Sequence, residues 1–116
     1  FNRDEMIEVL KQVSLGHLED RLDQEQDWTR ILSLGEQQRL AFARLLLHKP
    51  NVAFLDEATA SMDEGLEDNM YRLLKERLPN TTVISVGHRS TLQAFHQQQL
   101  MILGNGKWRF TDRNLV

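Results

Sequence analysis

The sequence predicts an α/β fold, a parallel sheet flanked by helices, with a β-hairpin near its C-terminal end. Three observations predict it. Two short apolar runs, 51–56 and 81–86, are each followed by turn residues and a helical stretch, as in βα units. The run Val52-Ala53-Phe54-Leu55 shows no polar alternation, as expected of a central strand covered on both faces. Asn105-Gly106, between Gln99–Leu103 and Lys107–Phe110, is a strong short-range signal for a hairpin turn.

The elements follow in chain order. Phe1 to about Gln12 reads as a helix, with Asn2 as its cap and Asp4-Glu5 in the first turn, where the helix dipole favours them. Met6, Val9, Leu10 and Val13 make its apolar face. Gly16 breaks the run, and His17 to Leu22 is a short helical piece. Asp20 to Asp27 reads as an acidic, exposed linker ending at Trp28. This first third is expected to form a small helical lobe.

A stronger helix starts at Ser33, where Ser33-x-x-Glu36 fits a capping box. Phe42, Leu45 and Leu46 extend its apolar surface, and Pro50 ends it. After the first strand, Ala58 to Asp63 is a loop, with Asp63 or Ser61 as the next cap. The helix from Glu64 to Leu78 is expected to turn Leu66, Met70, Leu73 and Leu74 inward, and Pro79-Asn80 stops it. Thr81 to Val86 is rich in β-branched residues and reads as a second buried strand. Gly87 to Ser90 is the turn after it, leading to a short helix through Phe95.

Composition bounds the function. The 116 residues suit one domain but are few for a complete nucleotide-binding α/β domain. The formal net charge of -3 gives no electrostatic reason to bind nucleic acid, and none is expected as a partner. The absence of cysteine excludes disulfide and thiol chemistry. No apolar run approaches the ~20 residues of a membrane span. The chain opens on Phe1 inside a helix-like stretch, which reads as a piece of a longer chain.

The chemistry-bearing residues gather at predicted strand ends. Asp56 and Glu57 close the first strand at its carboxyl end, the edge where open α/β sheets bind ligands. Paired carboxylates there fit a division of labour. Asp56 reaches Mg2+, directly or through a water, and Glu57 polarises a water for attack on phosphorus. The alternative is a strand-end loop with solvated acids. Ser33, Gly35 and the first N–H groups of the following helix make a phosphate seat. There, Glu36 would repel phosphate unless it turns back into its capping role. An ordinary capping box is the alternative. His88 follows the second strand, and parallel pairing would bring it towards Asp56-Glu57. A neutral imidazole there could bond a phosphate oxygen or the attacking water. A turn histidine without chemistry is its alternative. No His/Cys/Asp/Glu spacing suggests zinc, and no nucleophile-elbow sequence supports a Ser-His-Asp triad. The sequence has no Gly-rich loop with a Lys to cradle phosphates.

These stretches together resemble the C-terminal part of the nucleotide-binding domain of an ATP-binding cassette (ABC) transporter. Leu32-Ser33-Leu34-Gly35-Glu36 through Arg44 is similar to the family's signature. Val52 to Thr59 is similar to its second Walker motif with the catalytic glutamate. Ala60-Ser61-Met62-Asp63 is similar to the loop that touches the partner domain, and Gly87-His88-Arg89 to the switch-histidine stretch. The likeness covers nearly the whole chain, and its wider text most resembles a bacterial branch with a fused membrane domain. Two positions depart from the pattern: Leu34 stands for the first signature glycine and Glu36 for its glutamine.

The resemblance implies a partial P-loop NTPase fold. Residues 1–32 would be the end of the helical subdomain and a linker, and 33–116 the C-terminal part of the ATP-binding core. It implies ATP and Mg2+ as ligands and a second nucleotide-binding domain as dimer partner. A transmembrane domain in the same parent chain would place the work at the cytoplasmic face of a bacterial inner membrane. Ser33 and Gly35, with Glu36 beside them, would meet the γ-phosphate of ATP held by the other subunit. Asp56 would position Mg2+, Glu57 would orient the water, Asp63 would couple the two sites, and His88 would contact the γ-phosphate. A piece without its phosphate cradle is expected to show little ATPase and marginal folding. A soluble ATPase of the same clamp type, or a non-catalytic docking module for a partner cassette, remain as alternatives.

Overall fold

The computed structural model describes residues 2–23, 28–87 and 89–112. It divides into two compact units, Phe1–Val86 and Gly87–Val116.

In the larger unit, α1 (Arg3–Gln12) is capped as the sequence predicts, with the Asn2 side chain accepting the Glu5 N–H at 2.8 Å. Val9, Leu10 and Val13 are buried, which leaves the polar side of the helix to solvent. The chain leaves α1 through a left-handed residue at Ser14 (φ 64°), two positions before the glycine expected to break the run. That turn drives Leu15 into the core and opens the 3-10 helix Gly16–Arg21. Part of the expected linker, residues 24–27, lies outside the described residues. A single-turn helix, α2 (Trp28–Ile31), follows it and was not legible in the sequence.

The long helix α3 (Leu34–His48) starts on the predicted capping box and buries Phe42, Ala43 and Leu46. It ends at His48, two residues before Pro50, and the cap residue Lys49 adopts a left-handed conformation and donates its N–H to Leu45 O at 2.9 Å. α1 packs on α3, and α3 meets α4 (Glu64–Arg77), where the Phe42 and Tyr71 rings stand edge to face at 6.1 Å. The buried stripe of α4 is Glu67, Met70, Tyr71 and Leu74, continued by Leu78. Leu66 and Leu73, expected inward, are half-buried on its flanks. The spacing was right, but the stripe sits one residue further on and includes a charged group.

Strands β1 (Val52–Asp56) and β2 (Thr82–Val86) pair in parallel, with Phe54 opposite Ile84 and Asp56 opposite Val86. One face of this sheet is covered: Ala53 and Leu55 are buried, and the Tyr71 hydroxyl of α4 meets the Ser85 hydroxyl at 2.8 Å. The other face is bare, and Phe54 is 76 % exposed, with Val52, Ile84 and Val86 also open. This corrects the expectation of a strand covered on both faces and of a second buried strand. An apolar run reports which face could be buried, and only one has a helical layer on it.

The smaller unit holds a 3-10 helix, Ser90–Phe95, and the antiparallel hairpin of β3 (Gln98–Gly104) and β4 (Lys107–Asp112). Asn105 and Gly106 both have positive φ, as a two-residue hairpin turn requires. A register shift between Ile102 and Gly104 leaves an irregularity beside the turn. No described residue of this unit is buried.

The contrast between the two sheet faces gives a stability test. Phe42→Ala should cost about 3–5 kcal/mol, the usual range for a buried phenylalanine. Phe54→Ala should change stability by less than about 1 kcal/mol. Denaturant unfolding of the two variants checks this, and equal losses would contradict the exposure of Phe54.

Candidate functional site

The candidate site is built where β1 ends and the chain turns towards α4. Asp56 is the last residue of β1, and its side chain is exposed at the carboxyl edge of the sheet. Glu57 follows in the left-handed region (φ 51°), a conformation that costs a non-glycine residue roughly 1–2 kcal/mol. Its backbone is held at both ends. The Glu57 N–H extends the parallel pairing by donating to Val86 O at 2.8 Å. Its carbonyl accepts the Ala60 N–H at 3.2 Å and the Gln38 amide at 3.4 Å.

The turn then closes on itself. Thr59 O accepts the Met62 N–H at 3.0 Å, and the Ser61 N–H goes to Gln38 Oε1 at 3.1 Å. Asp63 ends the turn as the cap of α4, its carboxylate accepting the Leu66 N–H at 2.7 Å. From below, the Thr59 hydroxyl donates to the Glu67 carboxylate, which is fully buried. Burying a carboxylate is costly unless it is hydrogen-bonded, so this contact matters for how the turn sits. Tyr71 lies beside Glu67, and its hydroxyl is pushed up from its usual range, first by burial and then by that charge, against the Ser85 bond.

The other half of the site is the N-terminus of α3. The capping box is complete: Glu36 N–H donates to Ser33 Oγ at 3.1 Å, and Ser33 N–H donates to Glu36 Oε1 at 3.0 Å. Glu36 thus turns back into its capping role, as phosphate binding would require. His17 meets its other oxygen at 3.1 Å. The Glu36 carboxyl is held below its ordinary range, first by the Ser33 N–H, then by the Ser33 hydroxyl, with His17 adding a smaller part. The Leu34 and Gly35 N–H groups make no hydrogen bond among the described residues, so two donors of the first turn remain for an anion.

Gly35 is helical, so its value here is space rather than φ. A Cβ on it would stand 3.4 Å from Ser61 O, and α3 therefore approaches the turn closely on this side. Leu34, in place of the family's glycine, is 68 % exposed beside the seat.

The structure thus brings Gly35, Asp56, Glu57 and Asp63 onto one turn and the helix packed against it, with Ser33 and Glu36 at that helix's start. His88 lies outside the described residues. Among the described residues no cluster of three or more His, Asp or Glu could hold a metal. One exposed carboxylate, Asp56, suits Mg2+, which commonly takes one or two carboxylates and completes its shell with waters and substrate phosphates. Gln38, Thr59 and Glu67 escaped the sequence reading. Gln38 acts across 19 and 23 positions and Thr59 meets Glu67 across 8, and only the α-helical stripe through Glu67 left a trace in the pattern.

A strand running into paired carboxylates, followed by a helix-capping turn and faced by an open helix N-terminus, defines a nucleotide-handling α/β domain. The chain belongs to the ABC transporter family, whose family model matches residues 2–60. It is 70% identical over 109 residues to an uncharacterised ABC transporter ATP-binding protein of Haemophilus influenzae, covering 94% of this chain and 18% of that one. It is 48% identical over 118 residues to the chloroplastic ABC transporter D family member 2 of Arabidopsis thaliana, covering 94% and 16%. The solved structure of an ABC transporter described as metal-chelate type, in an inward-facing conformation, shares the fold. It has a TM-score of 0.67 at 24% identity, over 96% of this chain and 43% of that one. The chain therefore spans under a fifth of the length of these curated relatives.

Two outcomes test this geometry. Because its folded-state carboxyl is lowered, Glu36 contributes stability above its unfolded pKa and loses it as pH falls through the folded one. The protection of the Ser33 and Glu36 amides, measured against their intrinsic exchange rates, should therefore hold at neutral pH and be lost only below the ordinary carboxylate range. Ser33→Ala should move that onset upward. Separately, Glu57→Gly removes the left-handed penalty, so stability should hold or rise by up to about 1 kcal/mol in denaturant unfolding. A loss larger than that would contradict the strained geometry at Glu57.

Proposed function

We propose that this chain is the C-terminal part of an ATP-hydrolysing domain that drives a solute across a membrane. Residues 1–32 are the end of its helical subdomain and a linker, and 33–116 belong to the ATP-binding core. The observation that carries the reading is Glu57, a strained glutamate whose backbone is fixed at the carboxyl edge of a parallel sheet next to Asp56. Strain of this kind persists only where neighbours over-determine it, and it concentrates at functional sites.

The residues divide the work of phosphoryl transfer to water. Asp56 would hold Mg2+, which would supply positive charge to the phosphates. Glu57 accepts a hydrogen bond from the attacking water and orients it for in-line approach. Ser33 and the open N–H groups of Leu34 and Gly35 meet the γ-phosphate of a nucleotide carried by a second nucleotide-binding domain. Glu36 turns its carboxylate back onto the Ser33 N–H and His17, which leaves the Leu34 and Gly35 N–H groups to the phosphate. Asp63, at the far end of the turn, couples the two sites across that dimer, and His88 contacts the γ-phosphate. A transmembrane domain in the same parent protein receives the work, at the cytoplasmic face of a bacterial inner membrane. Among the described residues no helix is long and apolar enough to cross a membrane.

The test is Glu57→Gln in the full-length protein that contains this chain. Turnover of ATP should fall at least about a hundredfold, while nucleotide binding and dimerisation persist. Retained turnover would overturn the role of Glu57 and favour a docking module over a catalytic one.

A further inference from the structure

Gln38 stands one helical turn beyond the phosphate seat, and its amide reaches two backbone groups of a distant turn. Its Nε2 donates to Glu57 O at 3.4 Å, and its Oε1 accepts the Ser61 N–H at 3.1 Å. Both functions of one amide are used, so its orientation is set: a flip would face donor to donor and acceptor to acceptor. Gly35, three residues earlier on α3, approaches Ser61 O from the same side. The edge of α3 that carries Gly35 and Gln38 is therefore the edge that meets the 57–61 turn.

We propose that Gln38 is a positioning residue. It holds the backbone of Glu57 and Ser61 so that the Glu57 carboxylate stays aimed at the attacking water. It also carries displacement of α3, the helix of the phosphate seat, into that turn. The inference rests on the reading of Glu57 as the residue that orients the water. Glu57 is the sensitive point because its left-handed backbone persists only while its N–H and carbonyl keep their partners. Strand pairing anchors the N–H on Val86. The carbonyl side depends on the turn, and the Ser61 N–H has no partner other than Gln38 among the described residues. Ser61 is exposed, so without Gln38 that donor passes to water and the turn loses its tie to α3. The two halves of the site, one facing each nucleotide of the proposed dimer, are thus joined by one side chain.

The experiment compares Gln38→Leu, Gln38→Glu and Glu57→Gln, singly and combined, in the full-length protein that contains this chain. Leucine removes both contacts. Glutamate keeps an acceptor for the Ser61 N–H and loses the donor to Glu57. For each single Gln38 variant, kcat should fall by about 10- to 100-fold, as a small misplacement of a catalytic group does. The KM for ATP should stay within about twofold. In the Glu57→Gln background, Gln38→Leu should leave the residual turnover unchanged, because its effect passes through Glu57. If Gln38→Leu fails to fold, Gln38→Glu alone decides by the same kcat and KM criteria. Wild-type kcat in the Gln38 variants with an inactive Glu57→Gln would overturn the positioning role and leave the reading of Glu57 standing. A further loss on combining the variants, or a KM that rises with the fall in kcat, would mean a general structural role and overturn it too. An active Glu57→Gln would sink both, and is recognised from that variant by itself.

Discussion

The larger unit depends on how the chain passes from Asp56 at the end of a strand to Asp63 at the start of a helix. Between them only Thr59 and Met62 are buried, while Ala60, Ser61 and Asp63 are exposed. The turn is nevertheless held by hydrogen bonds along most of its length. Glu57 takes its N–H partner from β2 and its carbonyl partners from Ala60 and Gln38. Thr59 and Met62 pair within the turn, and Asp63 O receives the Glu67 N–H as α4 begins. Side chains add to this: Gln38 accepts the Ser61 N–H, and Glu67 accepts the Thr59 hydroxyl from below. The left-handed glutamate is the residual cost of satisfying all of these at once.

Three glutamates near this turn show how environment divides one residue type into different tasks. Glu67 is sealed inside α4's buried stripe, where its carboxylate accepts the Thr59 hydroxyl. Glu36 lies at a helix N-terminus, and donors from Ser33 favour its ionised form, so its charge is spent on the cap. Glu57 stands at the sheet edge with its backbone N–H and carbonyl both hydrogen-bonded, which fixes where its side chain begins. The sequence distinguishes the three by context alone: one in a helical stripe, one three residues after a serine, and one at the end of an apolar run.

Much of the fold was legible for local reasons. Asn2, Ser33 and Asp63 each cap the helix expected of them, because capping is decided within four residues. The Asn105-Gly106 turn and the parallel order of the two strands followed from equally local signals. What failed was set by distance along the chain. The left-handed Ser14 has no serine-specific signal, and Gly16 nearby drew the expectation to the wrong place. The bare face of β1 failed because periodicity records which side chains are apolar, not whether a layer lies over them. Of the site, Ser33, Gly35, Glu36, Asp56, Glu57 and Asp63 were given roles in advance, while Gln38 and Thr59, inside the motif stretches, and Glu67, outside them, were not. Their significance lies in which backbone atoms they reach, and that depends on how α3 and α4 pack on the turn.

Two positions depart from the family's signature, and the packing shows what each residue does in the fold. Leu34 occupies the first helical position after the cap, where its side chain points into solvent and its N–H stays open. The helix loses nothing by the change, since leucine is a better helix former than glycine. Glu36 replaces an amide by a carboxylate beside the expected seat of an anion, which electrostatics alone would forbid. The carboxylate keeps its charge, but the capping box turns one oxygen to the Ser33 N–H and His17 meets the other. His17 belongs to the helical lobe that precedes α3, so the lobe helps to orient the carboxylate beside the seat. A signature residue that departs from the pattern is thus held by a histidine that no motif contains, and a contact of this kind can be found only where the folded chain brings the pair together.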